Sequence, residues 1–388
     1  HPGYGFLSEN PELVAACEKN DIAFIGPSSK AIQLMGNKIE ARAFVESLHI
    51  PMTKGVTGSP EELLNLAKTI ELPILVKAAA GGGGKGMRIV RDWDDLEMVI
   101  ESTSREALAY FGDAEVYVEK FIENPRHIEI QLLGDQFGNV IHLYERECSI
   151  QRRYQKIIEE SPSPTLNQET REKMGQAAVD IAKAINYTSA GTIEFLVDAD
   201  LNYYFLEMNT RIQVEHPVTE MVTGVDLVME QIRIAQGEKL SVKQEEIVQN
   251  GHAIEARVYA EEPENDFRPA PGFVNFYKEP KGENIRVDSA IDQPVEIKSF
   301  FDPMISKLVV WAENRERAIT KIVSSLEDFV ILGLSTNIPF MLALMKEEDY
   351  LLNKISTKYC DTQASQILKS ADKYHDKIDR NILTAAYA

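Results

Sequence analysis

Apolar and polar residues alternate in several short runs of this chain, and the clearest run lies near its middle. Gly191-Thr192-Ile193-Glu194-Phe195-Leu196-Val197 reads as a strand and ends in the turn-forming cluster Asp198–Asn202. Tyr203 to His216 then alternates at period two. Glu207, Asn209, Arg211, Gln213 and Glu215 fall on one face of that second run, with Met208, Thr210, Ile212 and Val214 on the other. Folding the two runs as a hairpin sets Glu194 roughly opposite Glu207, with carboxylates about 5 Å apart. Like charges so placed repel, so a positive group should lie between them. Two carboxylates and an Asn amide oxygen are the hard ligands that Mg²⁺ accepts together with phosphate oxygens. Glu207 and Glu215, as residues of one extended strand, would stand roughly 26 Å apart and could not share a metal.

The same reading predicts strands at Ile22–Pro27, Pro73–Lys77, Met87–Arg91, Glu115–Ile122, Arg126–Leu132 and Gly251–Tyr259. Helices are expected from Ser8 to Cys17, Ser29 to His49, Asp94 to Tyr110, Ser163 to Asn186 and Pro217 to Gln236. Further helices follow to about residue 370, and the stretch 371–388 reads as a peripheral polar tail. The opening 1–37 resembles the last βαβ piece of a doubly wound α/β domain.

Chemistry enters at four places. The glycine run 81–84 lies between two strands, with Lys77 before it and Lys85 after it. A dinucleotide fold needs a helix after its glycines, and a P-loop needs Ser or Thr after its lysine. Neither is present, so a flap whose N–H groups close over phosphates is the remaining functional reading. His127, Glu129 and Gln131 share one strand face. The segment Glu147–Lys156 reads as a basic loop, an anion site. Glu255 and Arg257 share a face and suggest a simple ion pair.

Composition narrows the classes. The chain has 388 residues, 44% of them hydrophobic, and a net charge of −20. That size fits two or three domains, and that charge disfavours nucleic acid or an anionic membrane as the main partner. The cysteines, Cys17, Cys148 and Cys360, lack C-x-x-C spacing and are expected to be reduced thiols of a cytoplasmic protein. No apolar run approaches membrane-spanning length. The opening His1-Pro2-Gly3 without an initiator Met suggests numbering that begins inside a longer protein.

In order along the chain, His1–Asn10, Met35–Lys38, Lys77–Gly86, Asn124–Gln131, Cys148–Lys156, Gly191–Phe195, Glu207–Thr219 and Asn337 resemble the biotin carboxylase family. The string Glu-Met-Asn-Thr-Arg-Ile-Gln-Val-Glu-His-Pro-Val-Thr-Glu from Glu207 is its most specific part. The resemblance implies an ATP-grasp fold of mixed α/β and α+β class. It divides the chain into a remnant N-terminal Rossmann-like domain (1–52), a mobile lid (53–122) and a large antiparallel-sheet domain (123–370).

It also implies the chemistry: ATP and bicarbonate form carboxyphosphate, which carboxylates biotin. Lys38 and Lys77 would hold ATP phosphates under a flap containing Gly82, Gly83 and Gly84. Glu119, Lys120 and Ile122 would read adenine, with His127 and Gln151 lining the nucleotide site. Glu194, Glu207 and Asn209 would bind Mg²⁺ or Mn²⁺, and Lys156, Arg211, Gln213 and the Val214 backbone would hold bicarbonate. Glu215 would be the general base, and Arg257 would stabilise the biotin enolate. Tyr154 stands where several relatives carry His, so no proton transfer is assigned there.

Implied partners are a biotin carboxyl carrier protein or domain, a separate carboxyltransferase, and a second copy of the chain. The acceptor of the carboxyl group, acetyl-CoA, another acyl-CoA or pyruvate, is chosen by the transferase. Two alternatives stand beside this reading: a carbamoyl-phosphate synthetase-like ligase using ammonia, and a non-catalytic nucleotide-binding subunit.

Overall fold

A computed structural model describes residues 1–80, 86–291, 294–300 and 302–386. Two compact units are present. The first comprises His1–Glu145, Leu166–His216 and Val225–Ile247, and the second Arg146–Thr165, Pro217–Gly224 and Val248–Ala388.

The first unit opens with α1 (Pro11–Lys19), α2 (Ser29–Gly36) and α3 (Lys38–Ser47). Its start departs from expectation in three ways. Asn10 rather than Ser8 caps α1, by accepting from the Leu13 N–H, while the Ser8 hydroxyl donates to the Gly5 carbonyl. Residues 22–27 form no strand, and Ile22 is exposed. The expected helix over 29–49 is two helices. Asn37 leaves the helical conformation (φ −94°, ψ 115°) and its side chain accepts from the Ile39 and Glu40 N–H groups. Asn is a strong N-cap because its oxygen satisfies donors that a helix start leaves open. The break makes Lys38 the first residue of α3, where its own N–H donates to Ala79 O at 3.2 Å.

Next come β1 (Gly55–Thr57), α4 (Pro60–Leu66), β2 (Ile74–Ala78), β3 (Met87–Val90), α5 (Leu96–Phe111) and β4 (Val116–Lys120). The strands form one antiparallel sheet in the order β1-β4-β2-β3. Leu63, Ile74, Val76, Val90, Leu96, Ile100 and Val118 make a core of its own for this sheet and its helices. Lys77 and Tyr117 are register partners on β2 and β4, as are Leu75 and Glu119. Gly82, Gly83, Gly84 and Lys85 lie outside the described residues. Gly86 closes that segment at φ +67°, a conformation open to glycine, and accepts the Ala78 N–H.

The first unit continues with β5 (Arg126–Gly134) and β6 (Val140–Arg152), the latter running on into the second unit. After β7 (Gln155–Ser161) of the second unit come α6 (Gln168–Ala184), β8 (Ser189–Val197) and β9 (Tyr203–Asn209). In the first unit the strand order is β6-β5-β8-β9, packed on α6 through Ile128, Ile130, Ile193, Met174 and Ile181. Asn167 caps α6, so the helix starts later than Ser163. The expected strand through His216 ends at Asn209, and the chain bends at Arg211 and turns at Val214–Glu215. The 26 Å separation of Glu207 and Glu215 therefore does not apply.

The basic segment 147–156 is a hairpin rather than a loop. β6 and β7 pair through it, with Gln151 opposite Lys156, and the turn at Arg153–Tyr154 has positive φ at both residues. The expected 217–236 helix is also two, α7 (His216–Thr223) and α8 (Leu227–Ala235), broken at Gly224 (φ +73°) and restarted by the Asp226 cap. In the second unit the strands run Ile285–Ser289, Met304–Ala312, β10 (His252–Tyr259), β7 and β6. They share a core with helices Arg315–Asp328, Ile338–Leu344 and Tyr359–Ala386. The last helix runs across position 370, where the tail was expected to separate, and Ala371 and Tyr374 are buried in this core.

Candidate active site

Strand register assembles the central feature. Glu129 on β5 is paired with Glu194 on β8, and Glu194 with Glu207 on β9, so three carboxylates form a row across three strands. One step along, Gln131, Thr192 and Asn209 form a second row. A bulge makes the first row possible. Phe195 pairs with Phe205, yet Glu194 pairs with Glu207, leaving Leu206 as the extra residue. Such an insertion re-aims side chains, and here it swings Glu207 to the position facing Glu194.

Positive and polar groups converge on this row. His127 Nε2 lies 3.0 Å from Glu194 Oε2, and Gln213 Nε2 donates to Glu194 Oε1 at 3.0 Å. Gln213 reaches Glu194 because the chain turns after Asn209. Lys38 Nζ lies 3.9 Å from Glu207 Oε2. Burial, reinforced by the Glu194 charge, raises the Glu207 carboxyl above its ordinary pKa, while Lys38 and Lys77 pull the other way. Burial lowers the Lys38 ammonium, only partly offset by Glu207. Atoms of His127, Glu129 and Glu194 all lie within 4.8 Å of one another. A divalent cation fits this donor set, because buried carboxylates facing each other are stabilised by a hard cation between them. Asn209 Oδ1 faces Arg211 Nη2 at 2.9 Å.

A second cluster lies on the β2–β4 sheet. Glu119 Oε1 meets Lys77 Nζ at 2.5 Å, and Glu119 Oε2 accepts from Arg42 Nη1 at 2.7 Å and Thr53 Oγ1 at 2.6 Å. Burial alone would raise Glu119, but Lys77 and Arg42 hold its carboxyl below the ordinary range. Burial would likewise lower Lys77, and Glu119 more than reverses it. Lys120 Nζ donates to the Glu71 and Leu72 carbonyls, at 3.1 and 3.0 Å, and so ties down the segment before β2. Ile122 is half-buried just beyond β4.

The remaining site candidates divide between the units. Arg211 Nε donates to Glu9 Oε2 at 2.8 Å, and Glu9 Oε1 also accepts the Thr210 N–H at 2.8 Å. Val214 is half-buried, and Glu215 is buried at the turn before α7. Gln151, Lys156 and Arg257 belong to the second unit. Gln151 is buried and Lys156 half-buried on the β6–β7 hairpin. Arg257 pairs across the sheet with Glu159, Nε to Oε1 at 2.5 Å.

Three contributors escaped the sequence reading. Glu129 was recognised as part of an alternating face, but only the β5–β8 register brings it beside Glu194. Glu9 and Arg42 reach the site from helices and loops far away in sequence, and nothing in their neighbours signals it.

Comparison with known proteins identifies the family of the chain. The family described as "Carbamoyl-phosphate synthase L chain, ATP binding domain" matches residues 37–243. "Biotin carboxylase, N-terminal domain" matches 1–32, and "Biotin carboxylase C-terminal domain" matches 255–362. The biotin carboxylase of Nostoc sp. is 52% identical over 362 residues, covering 92% of this chain and 81% of that protein. Biotin carboxylase 1 of Bacillus subtilis is 49% identical over 366 residues, with 93% and 81% covered. Among solved structures, the biotin carboxylase domain dimer of Hydrogenobacter thermophilus 2-oxoglutarate carboxylase, in complex with MgADP, ADP and bicarbonate, superposes with a TM-score of 0.92. It is 47% identical, with 95% of this chain and 82% of that one covered. Campylobacter jejuni biotin carboxylase, complexed with a nucleotide, gives a TM-score of 0.90 at 47% identity, with 93% and 81% covered. With such identity over nearly its whole length, the chain belongs to the biotin carboxylase family of ATP-grasp ligases.

Proposed function

We propose that this chain uses ATP and bicarbonate to carboxylate biotin held on a carrier protein or domain, and that its residues divide the work as follows. Lys38 and Lys77 hold ATP phosphates, and residues 53–122 act as a lid over the nucleotide. Glu119, Lys120 and Ile122 bound the adenine, with His127 and Gln151 lining the nucleotide. Glu194, Glu207 and Asn209 would hold Mg²⁺ or Mn²⁺, and that ion, when bound, neutralises phosphate charge. Arg211, Gln213, Lys156 and the Val214 backbone cradle bicarbonate. Glu215 takes the bicarbonate proton, which frees an oxygen to attack the γ-phosphorus; a buried carboxylate suits a base that must lose its water before accepting a proton. Arg257 stabilises the negative charge that develops on the biotin ureido oxygen.

One observation carries this reading: the Glu194–Glu207 pair, with Lys38 close to one member and Gln213 returning to the other. It joins a cation site to the first residues of the anion cradle. A carboxyltransferase, a second copy of the chain and a cytoplasmic setting complete the proposal. Cys17, Cys148 and Cys360 are free thiols, in keeping with a reducing compartment. No described helix is long and apolar enough to cross a membrane.

The test measures phosphate release and biotin carboxylation on the same preparation of full-length protein. Glu215→Gln should lose both. Arg257→Ala should retain much more bicarbonate-dependent ATP cleavage than biotin carboxylation, with a coupling loss of about 3 kcal/mol. Equal loss of both by Arg257→Ala would reduce Arg257 to a structural partner of Glu159. Ammonia-dependent, biotin-independent turnover would favour a carbamoyl-phosphate synthetase-like activity instead.

A further inference from the structure

We propose that Arg42 is a positioning residue for Lys77, supplying the second positive charge that lets Glu119 hold this lysine while the cluster stays net positive toward a polyphosphate. The inference rests on the reading of Lys77 as a phosphate-binding group.

Glu119 is one carboxylate serving two cations. Its Oε1 is taken by Lys77 Nζ at 2.5 Å and its Oε2 by Arg42 Nη1 at 2.7 Å. All three side chains are nearly buried, with 6%, 5% and 11% of their surface exposed for Lys77, Glu119 and Arg42. A Lys77–Glu119 pair alone would be neutral, and a neutral ion pair attracts a polyanion weakly. With Arg42 the cluster carries one positive charge in a poorly screened environment, where it acts at longer range than it would in water.

Arg42 is also fixed in place. Its Nη2 donates to the Thr53 carbonyl at 2.6 Å, Nη1 reaches Thr53 Oγ1 at 3.2 Å, and the guanidinium carbon lies 5.5 Å from the Tyr117 ring centroid. The planar fork contacts the carboxylate and the carbonyl together, which the point charge of a lysine does less well. Arg42 sits four residues after Lys38 on α3, so one helix face carries both cations. The Asn37 break that starts α3 at Lys38 therefore sets the placement of Arg42 as well.

A purely structural Arg42 would brace the sheet without affecting phosphate recognition. The two cases separate in the phosphate contribution to binding, read as the ratio of the adenosine dissociation constant to that of Mg·ADP. Titration calorimetry on the full-length protein would measure both. Arg42→Met should lower this ratio about 10-fold, the scale of one unit charge acting at short range. Arg42→Lys should keep it within about 3-fold of the parent, because the charge remains. Loss of adenosine and Mg·ADP affinity in equal proportion, or an unchanged ratio in folded Arg42→Met, would overturn the proposal. If Arg42→Met does not fold, Arg42→Gln decides, because its amide keeps a donor for the Thr53 carbonyl while the charge is lost. A ratio lowered about 10-fold supports the proposal, and a parental ratio contradicts it. A parent protein that binds neither ligand would instead sink the reading of an ATP site, before Arg42 is at issue.

Discussion

Two carboxylate centres of the first unit, one buried and one half-buried, are built from the same parts and behave oppositely. Glu119 and Glu207 each project from a strand toward a lysine, Lys77 and Lys38. Glu119 has two cations in contact and is held below its ordinary pKa, whereas Glu207 faces another carboxylate, stands 3.9 Å from its lysine and is raised. Burial pushes both carboxyls the same way, so the difference lies in the partners. A carboxylate whose charge is balanced by the protein is a structural or positioning group. One left unbalanced is an invitation to a cation from outside.

The largest expected effect tests the balanced centre. Glu119→Ala leaves Lys77 and Arg42 as adjacent buried cations and should cost about 3–5 kcal/mol in chemical denaturation. A loss below about 1 kcal/mol would mean that water enters the cluster and that the contrast with Glu207 is overdrawn.

A second balanced carboxylate extends the comparison to the other unit. Glu160 accepts from Arg315 through both oxygens and lies 2.7 Å from His252 Nε2. Burial opposes ionisation there, yet His252 and Arg315 lower its pKa from 4.5 to about 2. A depressed folded-state value means stability that is present above about pH 4.5 and lost as pH falls toward about 2. Its share is about 3 kcal/mol. Acid unfolding curves should show this loss in the parent, and Glu160→Gln should flatten it. Identical pH dependence in the two proteins would contradict the assignment.

The unbalanced centre gives the next effect. Glu207→Gln should reduce Mg·ATP-dependent turnover about 10²-fold. Because the folded-state pKa of Glu207 is raised, its ionisation costs stability as pH rises. The nucleotide-free variant should therefore be no less stable than the parent at neutral pH, and Mg²⁺ should raise Tm in the parent more than in the variant. An equal Mg²⁺ shift in both would remove Glu207 from the metal site. The smallest effect concerns Glu9, which is partly exposed and holds Arg211 and Thr210. Glu9→Gln should raise KM for bicarbonate about 5-fold with kcat nearly kept, in line with about 1 kcal/mol for a partly exposed pair. Unchanged bicarbonate KM would show that Arg211 is positioned without Glu9.

Most strands around the site were legible in the sequence, because alternation at period two and turn residues act over a few positions. The β2–β3 pair, β4, β5, β8, β10 and the hairpin joining Glu194 to Glu207 were all legible that way, and the Glu207–Glu215 string identified the family. Breaks that rest on one capping side chain were missed. Asn37 ends one helix and starts the next, and Asp226 restarts the helix that Gly224 breaks; a cap acts through a hydrogen bond that periodicity does not register. The row of carboxylates also exceeded the sequence. Alternation shows that Glu129 and Glu194 lie on faces, but the register that joins them, and the bulge at Leu206 that brings Glu207 into line, are set by packing between strands. Tertiary structure alone delivered Glu9 to Arg211 and Arg42 to Glu119, across 202 and 77 positions of chain. Local sequence decides which groups can ionise, but which of them are balanced depends on the neighbours that folding supplies.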